Sequence, residues 1–199
     1  MKRPKFLLLL FALTTLASSA QTIAMRDVLV AMPDSLLPLL TAVNRADCID
    51  FLEADMPARV TNRMGTTTEL THLTADYARL QYTECTVYEL KLLPLSDTLQ
   101  VLCLTHRLQE PVNDAHVSFY NMQWTSLPVS RFFRWTPTTE PTSLLTTCDY
   151  ALSPTSTDLV VTLHNECYQH ADSTAEAALQ VSSIPYIFHW ADGRYNLAE

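Results

Sequence analysis

An α+β fold, with N-terminal helices packed on a largely antiparallel, meandering sheet of about seven to nine strands, follows from three observations. The run from Asp76 to Leu108 holds three consecutive strand-like segments. The connections between them are too short for crossover helices, which leaves antiparallel pairing. Helical spacing of apolar residues is concentrated near the start of the chain, ahead of those strands.

Taken in order, residues 1–20 read as a removable signal peptide: Lys2, Arg3 and Lys5 precede the apolar stretch Phe6 to Leu16, and Ser18-Ser19-Ala20 offers small residues for cleavage. That stretch is too short to span a bilayer. Gln21, and not a lipid-bearing Cys, then begins the mature chain, and residues 21–199 have the length of one α+β domain. Met25 to Met32 has the pattern of a short amphipathic helix closed by Pro33, and Leu36 to Leu40 of a further apolar turn. Asn44 is the predicted N-cap of the next helix, with Asp47 in its first turn. Cys48, Ile49, Phe51, Leu52 and Met56 form its apolar stripe, and Pro57 ends it.

Arg59 to Asn62 and Thr67 to Leu70 flank Met64-Gly65 as a hairpin. Tyr77 to Tyr82 alternates apolar and polar residues, as a half-buried strand does. Thr83 to Thr86 reverses the chain and Val87 to Leu93 returns, stopping at Pro94, which cannot donate a ladder hydrogen bond. Leu95-Ser96-Asp97 turns again. Leu99 to Thr105 is apolar on both faces and belongs in the middle of the sheet, with Cys103 as a buried free thiol. His116 to Tyr120 adds a strand. Residues 125–156, rich in Pro and Thr, read as a surface excursion with a short strand near Leu144. Leu159 to Leu163 is a strand, and Ser173 to Glu176 has capping-box spacing. Ile184 to Trp190 and Tyr195 to Leu197 form a hairpin across Asp192-Gly193.

Composition narrows the chemistry. There are 13 Lys and Arg against 21 Asp and Glu, a net charge of −8, and three of those cations lie in the leader. Lys91 is the sole lysine after it. Such a surface repels nucleic acid and anionic lipid. With only two glycines, Gly65 and Gly193, there is no phosphate-binding loop, dinucleotide fingerprint or nucleophile elbow, and neither HExxH nor CxxC occurs. No cofactor is expected, and the reading leans away from an enzyme. Export to an oxidising compartment permits disulfides, but five cysteines leave at least one thiol unpaired within a monomer.

Two clusters carry what chemistry there is. His164, Cys167 and His170 have the residue types of a zinc or copper site, provided that the spacing of three falls on a helical turn. In a strand end it does not, and a solvated loop is the plainer alternative. Trp124, Phe132, Phe133 and Trp135, with Arg131 and Arg134 beside them, would suit stacking on a sugar or docking a carboxylate. The plainer alternative is that these rings fold back and cover the sheet face opposite the helices, since large exposed apolar patches are rare. Asp47 with Asp50 and His106 with His116 are pairs that the residues alone do not rank.

Met32-Pro33-Asp34-Ser35-Leu36-Leu37-Pro38, the helix Asn44 to Leu52, Leu92-Leu93-Pro94-Leu95, Phe119-Tyr120 before Trp124, and Trp190-Ala191-Asp192-Gly193-Arg194-Tyr195 together resemble an exported protein family of unknown function from Bacteroidales. The resemblance implies an exported, periplasmic or extracellular single-domain protein, and it brings no catalytic or binding residues. The expected role is a non-enzymatic binding or envelope-associated domain whose partner is a protein or glycan of the cell envelope. The alternative is a small metal protein or enzyme using His164, Cys167 and His170.

Overall fold

Strand alternation sends successive side chains to opposite faces of a sheet. Where both sets are apolar, the sheet has to be covered twice. The computed structural model, which describes residues 23–109, 114–137, 145–169 and 178–198, shows how this is done. β1 (Arg59–Thr61), β2 (Thr67–Leu73), β3 (Tyr77–Gln81), β4 (Thr86–Pro94), β5 (Gln100–Leu108), β6 (Asp114–Tyr120) and β7 (Ser126–Leu127) form one antiparallel sheet in sequence order. β8 (Leu145–Leu152), β9 (Leu159–Gln169), β10 (Ala178–Ala191) and β11 (Arg194–Leu197) form a second, ordered β11-β10-β9-β8. The expectation of one sheet of seven to nine strands is therefore corrected to eleven strands, among the described residues, in two sheets of seven and four.

The central meander forms where alternation and Pro94 place it. β4 pairs with β3 and β5 along its length, from Tyr77↔Lys91 to Pro94↔Gln100. β5 lies inside the sheet, between β4 and β6.

The helices are α1 (Met25–Ala31), α2 (Ala42–Glu53) and the single turn α3 (Val129–Phe132). Asn44 is not the cap of α2. Thr41 is: its hydroxyl accepts from the Asn44 amide at 3.1 Å, and the Asn44 side chain accepts from the Thr41 amide at 3.1 Å. The reciprocal box thus starts the helix three residues early. Met25, Val28 and Leu29 of α1, and Cys48 and Ile49 of α2, share one buried cluster with Leu70, Ala78, Leu80, Leu90, Leu92, Leu102 and Leu104. Arg45, 2% exposed, ties this region together. Its guanidinium donates to the carbonyls of Val30, Met32 and Leu40 and to the Asp34 carboxylate, so the open carbonyl end of α1 finds its donors on α2.

The other face of the meander meets the second sheet. Leu93, Val101, Cys103, Val117 and Phe119 pack with Leu152, Leu159, Val161, Phe188 and Tyr195, and with Phe132 of α3 and Phe133 just after it. Residues 125–156 are therefore not a surface excursion throughout. They hold β7, α3 and β8, which carry the chain from one sheet to the other. The strand expected near Leu144 is β8, longer than its few apolar residues suggest because β9 pairs with it from Leu145 to Leu152. The Ser173 to Glu176 segment lies outside the described residues.

β10 outruns its neighbour. Only Phe188 to Ala191 pair with β11, so among the described residues the preceding part of β10 has an open edge. The Ala198 amide donates to the Ile187 carbonyl at 2.8 Å, which shows that Ile187 points its backbone outward. Antiparallel alternation puts Pro185 on the same side, where its missing N–H removes a donor from the open edge. A proline there blunts pairing with a foreign strand.

Candidate functional site

Three turns meet at one end of the two sheets and enclose an open groove of about 760 Å³. The β4–β5 turn supplies Leu95, Asp97, Thr98 and Leu99. It is held by the Leu95 amide on the Leu99 carbonyl at 2.8 Å, and by the Ser96 hydroxyl, which accepts from the amides of Thr98 and Leu99. The turn after β6 supplies Asn121, Met122 and Gln123. There the Asn121 side chain accepts from the amides of Gln123 and Thr125 at 3.0 and 2.9 Å. Trp124, which follows, has φ 61°, a left-handed backbone that is unusual for a bulky residue. Its ring, 5.4 Å from that of Tyr120, anchors the turn.

The third turn, Asp192-Gly193, joins β10 to β11, with φ 53° and 72°. Both values are positive, as a two-residue type I′ hairpin needs. A β-carbon on Gly193 would stand 3.4 Å from the Leu95 side chain, so the turn closes directly against its neighbour across the groove. The indole N–H of Trp190 donates to the Pro94 carbonyl at 2.7 Å and locks the two turns together.

The lining is part apolar, part polar, and its charge has one sign. Ile23, Leu95, Leu99 and Met122 supply aliphatic surface, with Leu99 62% and Ile23 40% exposed. Gln100, Asn121 and Gln123 offer amide groups, and Asp97 and Asp192 are the titratable side chains among the lining residues.

A second polar cluster lies between the sheets. Glu89, 4% exposed, accepts from the Leu152 amide at 2.8 Å, the Tyr77 hydroxyl at 3.2 Å and Arg107 at 3.4 Å. Arg107 forks onto Asp149 of β8 at 2.7 and 2.6 Å. Lys91, 1% exposed, reaches Asp76 at 2.9 Å. Burial, and then the charge of Glu89, push the Tyr77 hydroxyl well above its ordinary range. The donors and acceptors of this cluster bind one another across β3, β4, β5 and β8, which makes it a tie between layers.

The aromatic residues expected to bind a ligand are placed apart from the groove. Phe132 and Phe133 are buried, Phe132 against Phe119 at 4.9 Å and Phe133 against Phe188 at 5.1 Å. They are not available as stacking platforms, because the second apolar face of the meander needs their cover. Trp135 packs on Tyr186 and Phe188, and Trp124 on Tyr120. Arg131 lies over the Phe132 ring at 5.2 Å, and Arg134 donates to the Ser130 carbonyl. Both arginines are exposed.

Of the metal-type residues, His164 stands in β9, an extended strand, and its Nδ1 is 2.9 Å from the Ser183 hydroxyl. His170 and the Cys167 side chain lie outside the described residues. Among the described residues no three His, Cys, Asp or Glu side chains gather as a metal site would require. The thiol of Cys48 is pushed up to about 11, chiefly by burial, and burial raises that of Cys103 further. Thiols so placed are poor nucleophiles. His106 stacks on Tyr88 at 4.5 Å and pairs across the sheet with His116, while Asp50 lies 3.9 Å from Arg26.

The groove escaped sequence reasoning because its three turns come from distant parts of the chain. Leu95-Ser96-Asp97 and Asp192-Gly193 carried local turn signals, but nothing in the sequence brought them together.

Among the described residues no helix is long and apolar enough to cross a membrane. No curated protein matches the chain. A solved structure of a domain of an uncharacterized protein from Porphyromonas gingivalis W83 is similar, with a TM-score of 0.66 at 21% identity, covering 87% of this chain and 97% of that one. At this identity the likeness is one of fold. The model of a family described as protein of unknown function (DUF3256) matches residues 15–169. The chain belongs to that family.

Proposed function

We propose that the protein is an exported, non-enzymatic recognition domain of a Bacteroidales cell envelope, and that it holds its partner in the groove between the three turns. The observation that carries this reading is the groove itself. Its volume of about 760 Å³ falls within the usual span of ligand sites. Its walls combine exposed aliphatic side chains with amides, and its titratable lining groups are two aspartates on separate turns. An acid–base or nucleophilic centre needs converging groups within hydrogen-bond reach of one another; the mixed aliphatic and amide lining supports contact as the groove's role. Export is supported by the basic start, the apolar stretch and the small residues of positions 1–20. A Bacteroidales origin is supported by the source of the similar solved structure.

The test is site-directed photocrosslinking in the native envelope. A benzoylphenylalanine at Gln123, inside the groove, is expected to capture a discrete envelope component. The same group at Glu84, on the β3–β4 turn, is expected to capture none. Equal products from both positions, or none from Gln123, would overturn the groove as the site. Recovery of a mature chain beginning at Gln21 from the envelope fraction checks the export half, and an uncleaved cytoplasmic chain would remove it.

A further inference from the structure

We infer that the occupant of the groove is a segment of a partner protein that presents a cationic side chain next to an aliphatic one. The inference deepens the preceding reading and rests on it. Three features of the lining select this chemistry.

First, among the described residues no Lys, Arg or His lines the groove, while Asp97 and Asp192 do. A phosphate or carboxylate ligand would meet negative charge without a counter-ion, and a cation would meet complementary charge. Second, the exposed apolar surface is aliphatic. Leu99 is 62% exposed and Ile23 40%, and Leu95 and Met122 lie beside them, which suits the burial of one aliphatic side chain. Third, the aromatic residue of the groove is already engaged. Trp190 stacks near Phe132 at 6.2 Å with 24° between planes, meets Tyr195 edge-on at 5.0 Å, and gives its N–H to Pro94. These contacts commit Trp190 to packing, which disfavours it as a stacking platform for a sugar. Gln100 and Gln123 present amides, which can both donate to and accept from a peptide backbone.

The experiment is selection of a displayed library of random dodecapeptides on the whole protein, followed by anisotropy titration of the enriched peptides. The expected result is enrichment of Lys or Arg beside Leu, Ile, Val or Met. Asp97→Asn with Asp192→Asn, and separately Leu99→Ser, should each weaken those peptides by at least about tenfold, as loss of a central contact does. Leu99 is exposed and an Asn tolerates the positive φ of position 192, so these variants keep the fold. Asp47→Asn with Glu84→Gln removes the same charge outside the groove and should change affinity less than about twofold, the size of a remote screened charge.

Equal weakening by both charge pairs would reduce the effect to general attraction by an acidic protein and overturn the inference. So would enrichment of acidic peptides, or no enrichment. A glycan crosslinked at Gln123, with no peptide enriched, would sink the inference and leave the recognition reading standing. Loss of the Gln123 crosslink altogether would sink both.

Discussion

On β4, Tyr88, Leu90 and Leu92 share a core with α1 and α2, whereas Leu93 belongs to the core against the second sheet. Between Leu90 and Leu93 sits Lys91, and before Leu90 sits Glu89, both buried. One strand therefore borders two interiors of different character. The helix-side interior is aliphatic, rich in Leu and Met, with Arg45 at its margin capping carbonyls. The sheet-side interior is aromatic and charged, held by Glu89, Arg107 and Asp149. Dispersion and burial hold the first, and their strength depends on volume. The second gains orientation from directional bonds, and its weakness is that removing one member strands the others.

The largest effect should come from breaking the charged side. Glu89→Ala leaves Tyr77 and the Leu152 amide without an acceptor and Arg107 with Asp149 alone, and should cost about 4 kcal/mol in urea unfolding. A loss below 1 kcal/mol, on the order of a surface pair, would show that water replaces the carboxylate and that the two interiors do not differ as described. Next, Leu90→Ala on the helix side should cost about 3 kcal/mol by opening a cavity, with the unfolding slope unchanged; a shallower slope would mean that the helices come away separately. Asp76→Asn takes the counter-ion from buried Lys91 and should cost about 2 kcal/mol. Full stability in that variant would place the ammonium in water.

The smallest effect is in pH. Burial, and then His116, hold His106 below its ordinary value of 6.5. The unfolded chain therefore takes up the proton first on acidification. The contribution of His106 is complete above 6.5 and is lost as pH falls from there through the lower folded value. The side chain is exposed, so the effect should stay below about 0.5 kcal/mol. His106→Gln should flatten the stability curve between about pH 7 and pH 5; an unchanged curve would remove His106 from the account.

The meander was legible because alternation, Pro94 and the short turns all act locally, and β3, β4 and β5 form where those signals put them. The second sheet was only partly so. Leu159 to Leu163 and the Asp192-Gly193 hairpin carry their own signals, but β8 is Leu-Thr-Thr-Cys-Asp-Tyr-Ala-Leu, a segment that becomes a strand because β9 lies beside it. Two sheets and one sheet leave the same alternation in a sequence, and only packing separates them. The charged tie left a trace that went unused. Glu89 and Lys91 are two residues apart in an otherwise apolar strand, and so point to one buried face. The groove left almost none, since residues from Ile23 to Gly193 meet only in space.

Burying Lys91 has a practical corollary. Among the described residues it is the lone primary amine, and its side chain is 2% exposed at the centre of β4. Among the described residues, amine-directed cross-linkers and labels meet only this buried site, and a lysine-cleaving protease gains no foothold there until the sheet opens. Reaction at that position therefore reports unfolding, which gives a footprint of the intact protein without any engineered probe.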